Sequence, residues 1–129
     1  LSEEFAQCVA HQTDKIVFIT DREKVIAAAG DGLKGIVGKE ISHSLERILD
    51  DRDESLPLAE RSRFIPVVEG MDGADEVKKV EQVRQMIRSN GQIIGSIIIQ
   101  SKDPKYKVGE FEKKVAMVAA EFLGKQITI

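Results

Sequence analysis

An Asn-Gly pair stands at positions 90 and 91, between two apolar runs. Both residues tolerate positive φ, which the tight two-residue turn of a β-hairpin demands at its central positions. The pair therefore predicts a strand over about Glu81–Arg88, joined by a tight turn to a second strand over Ile93–Gln100. A helix competes for the first of these segments, because Val77, Val80, Val83 and Ile87 would share one helical face. The turn decides for the strand, and residues 75–80 are left helical or irregular.

The rest of the chain falls into order around this hairpin. Ile16-Val17-Phe18-Ile19 is a short β-branched and aromatic run, the pattern of a buried strand. The polar turn Asp21-Arg22-Glu23-Lys24 leads to a second strand over Val25–Ala29, closed by Gly30-Asp31-Gly32, so these two strands form another hairpin. Ser2 to His11 has helical spacing, with Leu1, Phe5, Cys8 and Val9 in a narrow apolar stripe. Lys39–Asp53 is predicted as a helix with Ile41, Leu45, Ile48 and Leu49 on one face and Ser42 or Ser44 as its cap. Arg63–Glu69 reads as a further strand, with Pro66 placing it at an edge or a strand end. Pro104 breaks the chain, and Val108–Gln126 forms a long amphipathic helix whose stripe is Phe111, Val115, Val118, Ala119, Phe122 and Ile127. The expected fold is of the α+β type: an antiparallel sheet of about five strands, both terminal helices on one face, the middle helix and its loops on the other.

Composition narrows the function. The chain has 129 residues, enough for one domain, and its 42% hydrophobic and 32% charged content is that of a globular protein. No apolar run approaches the roughly 20 residues of a spanning helix, so no membrane association is expected. The net charge is −3, with no dense Lys/Arg run, which argues against direct DNA binding by this piece. Cys8 is the single cysteine, which rules out an intrachain disulfide and suits a reducing cytoplasm. It shares its stripe with Phe5 and Val9 and is expected to be a packed thiol of a core or interface. His11 and His43 have no neighbour at metal-ligand spacing, so no metal and no cofactor are expected. His11 is placed at the helix end, where a cation is favoured, and His43 on the surface. Gly30, Gly32 and Gly35 match the spacing of a dinucleotide fingerprint, but a hairpin precedes them and no crossover follows, so they are taken as a flexible turn. Asp50, Asp51, Asp53 and Glu54 with Arg47 and Arg52 make a charged helix face, in which Arg47 and Asp51 are spaced to pair. No catalytic residue emerges.

Several motifs together carry a family likeness. Leu45-Glu46-Arg47 with Asp50 and Arg52, Gly91 with Ile94-Gly95 and Ser101-Lys102-Asp103, and Ala119-Ala120 with Phe122-Leu123 and Gln126 occur in a specific order over residues 12–126. In these the chain resembles the C-terminal GAF domain of the stage V sporulation protein T family of transcription regulators. The resemblance implies a GAF-type sheet, and a regulatory domain that senses a small molecule or only holds subunits together, without enzymatic activity. It also implies a homodimer or tetramer, and contact with DNA only through a preceding domain, in keeping with a first residue, Leu1, that is not methionine. Its pocket is expected between the sheet and the middle region, with Ser42, Arg47, Asp51, Arg52, Arg63 and Met71 as ligand-binding candidates. Arginine suits a carboxylate or phosphate because its planar fork makes two parallel hydrogen bonds. Phe5, Cys8, Val9, Val115, Val118 and Phe122 are the candidate dimer contacts.

Overall fold

The computed structural model describes residues 2–30, 33, 35–50, 64–70, 80–103 and 105–126. Among them run helix α1 (Ser2–Thr13), strands β1 (Ile16–Thr20) and β2 (Val25–Ala29), helix α2 (His43–Asp50), strands β3 (Gln82–Ser89) and β4 (Gln92–Gln100), and helix α3 (Glu110–Gln126). The strands form one antiparallel sheet in the order β2-β1-β4-β3, so the two hairpins meet along β1 and β4. Asn90 and Gly91 have φ of 52° and 80°, the double positive φ their pairing demands.

The register divides the side chains into two layers. Val17 and Ile19 of β1 lie opposite Ile99 and Ile97 of β4, and these pack under α1 and α3 with Ala6, Val9, Ala116, Ala119, Ala120 and Leu123. Phe18 and Ile98, paired across the same two strands, face the other way and pack with Leu45 and Leu49 of α2, Val25, Ile41, Val67 and Val68. Phe18, Ile98 and Leu45 are wholly withdrawn from solvent. Complete burial of side chains of this kind contributes about 1.5–3 kcal/mol each. Both terminal helices thus occupy one face, as the element order implied.

Two features of the sheet layer correct the sequence reading. The strand expected over Arg63–Glu69 is absent from its described part: residues 64–66 are irregular and 67–70 bend and turn, leaving four strands rather than five among the described residues. Other groups take the backbone bonds a sheet would have used. The Gln82 amide donates to Ile65 O at 2.9 Å and accepts from Ile65 N at 3.3 Å. Ser42 N donates to Val67 O at 2.7 Å, and the Ser42 hydroxyl donates to Pro66 O at 2.6 Å.

The stripe expected to bury α3 is only in part the buried one: Ala119 is buried and Val115 half-buried as expected. Phe111 and Val118 are 56% and 67% exposed, while Ala116, Ala119, Ala120, Leu123 and Gly124 face the sheet. The cause is distance. A Cβ on Gly124 would collide with Arg88 O, so only small residues let the helix lie this close to β3. Phe111, Met117 and Val118 are left largely outside. Helix α2 is shorter in its described part than the Lys39–Asp53 expected, beginning at His43 with Ser42 as its cap through Leu45 N at 3.1 Å. Helix α1 runs on to Thr13 and ends at Asp14, whose φ is 55°.

Candidate functional site

The α2 face of the sheet is closed at one end and open at the other. At the closed end Gln82 and Gln100 lie opposite each other, and the Gln82 amide donates to Gln100 Oε1 at 3.0 Å. Arg84, two residues along β3 and opposite Ile98, donates from Nη1 to Gln82 Oε1 at 2.6 Å. Burial holds its pKa below the usual guanidinium value, since desolvation disfavours the charged form. Thr20 and Ser96, both buried, share a hydrogen bond of 2.7 Å between their hydroxyls. The Gln82 amide ties Ile65 to the sheet, and Ser42 ties Pro66 and Val67 to the start of α2.

At the other end a cleft of about 660 Å³ lies between the end of α2 and the second hairpin, lined by Arg22, Leu49, Asp50, Arg88, Gly91, Gln92, Ile93 and Ile94. That volume is in the range of small-molecule pockets, roughly 300–1,000 Å³. Arg22 reaches it from the β1–β2 turn. Asp21 fixes that turn: its Oδ1 accepts from Glu23 N at 2.7 Å and Lys24 N at 2.8 Å. The Arg22 guanidinium donates from Nη1 to Ile93 O at 3.0 Å and from Nη2 to Asp50 Oδ1. It therefore bridges the second hairpin and the C-terminal end of α2 while its side chain stays 45% exposed. Arg88 stands opposite Ile93 in the β3–β4 register, on the same side of the hairpin tip.

The residues proposed from sequence distribute differently. Ser42 is fully buried and its hydroxyl is engaged as helix cap and loop anchor. Arg47 is exposed on α2 and does not line the cleft. Asp51, Arg52, Arg63 and Met71 lie outside the described residues, as does the Asp51 end of the expected pair with Arg47, and so do Asp31, Gly32 and Lys34 of the glycine-rich segment. Instead, the cleft brings together Arg22 and Arg88. Neither was marked by spacing: Arg22 stood in a polar turn, and Arg88 at the end of an expected strand.

The terminal-helix face holds the other candidates. The Phe5 and Phe122 rings stack with centroids 5.3 Å apart and 14° between planes. Val9 is buried in the chain's own core, and Val115 packs half-buried against it. Cys8 is exposed rather than in the core, because α1 turns Ala6 and Val9 inward instead. Phe111, Met117 and Val118 are more than half exposed, and Phe122 is 39% exposed. Beside them a groove of about 480 Å³ runs between β3 and α3 past Gln85, Arg88, Lys114, Met117 and Lys125. His43 is on the surface at the start of α2, and His11 lies in the last turn of α1. Among the described residues no cluster of His, Cys, Asp and Glu is arranged to hold a metal ion, and no helix is long and apolar enough to cross a membrane.

Among the described residues a four-stranded antiparallel sheet, two terminal helices on one face and a short cross-helix on the other define an α+β domain. A family model described as stage V sporulation protein T C-terminal, transcription factor, matches residues 1–128, and the chain belongs to that family. It is similar to the stage V sporulation protein T of Bacillus subtilis (strain 168), with 33% identity over 126 residues and 98% of this chain. The match spans 66% of that relative's length.

Proposed function

We propose that this chain is the regulatory domain of a sporulation-type transcription regulator. It senses a small molecule on the α2 face of its sheet and pairs with a second copy through its terminal helices. It has no catalytic activity of its own, works in the cytoplasm, and reaches DNA only through domains attached to it. The family match over residues 1–128 carries this reading, since it is to the C-terminal part of a transcription factor. The 660 Å³ cleft at the open end of the α2 face, within the size range of small-molecule pockets, supports the sensing part of the reading. Ligand state acts on the attached domains by favouring one of two arrangements of the subunit, which needs different affinities for the two.

A second reading is a ligand-free oligomerisation scaffold. The exposed stripe of Phe111, Met117, Val118 and Phe122 favours it, because such a surface pairs subunits without any ligand.

A thermal-shift panel of amino acids, nucleotides, sugar phosphates and small organic acids, read beside light scattering of the same samples, separates the two. A ligand at 100 times its dissociation constant adds about 2.7 kcal/mol and moves the unfolding midpoint by several degrees. A reproducible hit establishes sensing. A stable dimer with silence across the panel establishes the scaffold. A monomer at micromolar concentration rejects pairing by this domain alone.

A further inference from the structure

We infer that the cleft between α2 and the second hairpin takes a small carboxylate or phosphate anion, gripped by Arg22 beside Arg88, and that Asp50 occupies this grip when the anion is absent. The inference deepens the sensing reading and rests on it.

A guanidinium presents five N–H donors in a planar fork, matched to two oxygens of a carboxylate or phosphate. Two of the Arg22 donors are aimed by the fold, one at Ile93 O and one at Asp50 Oδ1. The first partner is a backbone carbonyl of the second hairpin, which fixes the direction of the fork. The second is a side chain at the last residue of α2, and it is a carboxylate. Asp50 thus shows which chemistry this fork accepts.

The pair is also replaceable. The side chains of Arg22 and Asp50 are 45% and 62% exposed, and an exposed ion pair of this kind is held only weakly. An incoming anion meets the remaining donors of Arg22; Arg88, which has contacts of its own, also lines the cleft. The anion also meets the backbone of Gly91 and Gln92, where the glycine leaves room for close approach. Against these stands one carboxylate among the described lining residues, Asp50. The anion therefore competes with Asp50 for Arg22. Occupation transfers the Arg22 contact from the end of α2 to the ligand, while Ile93 O holds the fork in place. Ligand binding and the position of the α2 end are coupled through this one exchange.

The experiment is a titration of the 15N-labelled chain with inorganic phosphate, with succinate, and with neutral succinamide, at constant ionic strength. The Nε–Hε signal of Arg22 and the amides of Gly91 to Ile94 are followed. Phosphate or succinate is expected to shift these signals saturably, and succinamide to leave them still. Arg22→Gln is expected to weaken anion binding about tenfold or more, the loss of a charge-assisted bond. Asp50→Asn, which removes the competitor, is expected to tighten it about two- to fivefold, the range of an exposed ion pair. Lys105→Gln, on a distant exposed turn, is the control for bulk charge. Arg22→Lys keeps the positive charge but loses the fork, and weaker binding by a chain whose spectrum remains folded separates recognition from folding.

Equal shifts with succinamide, or anion binding indifferent to Arg22→Gln, would overturn the anion assignment and leave the sensing reading standing. If neither anion moves the cleft while a neutral metabolite of the thermal panel stabilises the chain, the anion assignment again falls alone. Silence in both experiments removes the sensing reading with it.

Discussion

Phe5 of the first helix and Phe122 of the last stack face to face, 5.3 Å between centroids, at the outer rim of the terminal-helix layer. The contact joins the two ends of the chain outside the core, and one of its rings stays 39% exposed. A stacked aromatic pair contributes about 0.5–1.5 kcal/mol beyond its area. Phe122→Ala is therefore expected to lower the unfolding midpoint of the subunit by only a few degrees. If the stripe pairs subunits, the same change dissociates the dimer far more strongly, which light scattering over a dilution series reads directly. Val118→Ser, whose side chain is 67% exposed, is expected to dissociate the dimer with almost no effect on subunit stability.

Gly124 sets how close α3 comes to β3. A Cβ there meets Arg88 O, a backbone atom that cannot swing aside. Gly124→Ala is expected to destabilise by at least the 1–3 kcal/mol roughly typical of overpacking, despite the better helix propensity of alanine. A urea unfolding curve checks it. An unchanged midpoint would mean that the helix can lift from the strand without cost.

The fold was legible where local chemistry and tertiary demand agree. Asn90-Gly91 needed positive φ at both positions and has it, and the strands on either side follow within a residue or two of the expectation. The reading failed where side chains substitute for backbone. Phe64, Ile65, Val67 and Val68 have strand composition, yet the bonds of this segment go to Gln82 and Ser42, which no periodicity reveals. It failed in part on α3, where Phe111 and Val118 advertise a core stripe but the face against the sheet is that of Ala116, Ala119, Ala120, Leu123 and Gly124. The cleft was not legible. Ser42 and Arg47, the ligand candidates among the described residues, do not line it, and Arg22 comes from a turn remote in sequence from Asp50 and Arg88 and is brought to them only by the hairpin pairing.

Ser42 links the start of α2 to the 64–70 segment, so its removal has a spatial signature. Ser42→Ala loses the cap on Leu45 N and the bond to Pro66 O, and cap losses cost about 0.5–2 kcal/mol. Hydrogen exchange is expected to quicken at Leu45 and Glu46 and in the 64–70 segment, while β4 amides keep their protection. Gln82→Leu acts from the other side, leaving Ile65 N and O without their partner and costing about 1–3 kcal/mol. Uniform acceleration across the sheet in either variant would show that the segment is not a separately anchored unit.

Glu81 gives the fold an acid-sensitive clasp. Its Oε1 accepts from Val108 N at 2.8 Å, and Lys107 Nζ lies 3.3 Å from Oε2, so the start of β3 holds the chain entering α3. The Val108 hydrogen bond is the largest influence and lowers the Glu81 pKa below its ordinary value of 4.5; desolvation opposes it, and Lys107 adds smaller lowering contributions. A carboxylate whose folded-state pKa is depressed stabilises the fold in full above its unfolded-state value, and loses that contribution as pH falls through the folded-state value. The sensitive window therefore lies below 4.5. Glu81→Gln keeps an oxygen for Val108 N and removes the titration. The wild-type chain is expected to unfold at a higher temperature than Glu81→Gln by a margin constant at neutral pH and shrinking as the solution is acidified below the ordinary carboxylate value. Thermal midpoints of both chains in matched ionic strength, from about pH 7 to about pH 3, measure it. A margin that does not narrow on acidification would assign the clasp to hydrogen-bond geometry alone, with the charge of Glu81 contributing nothing.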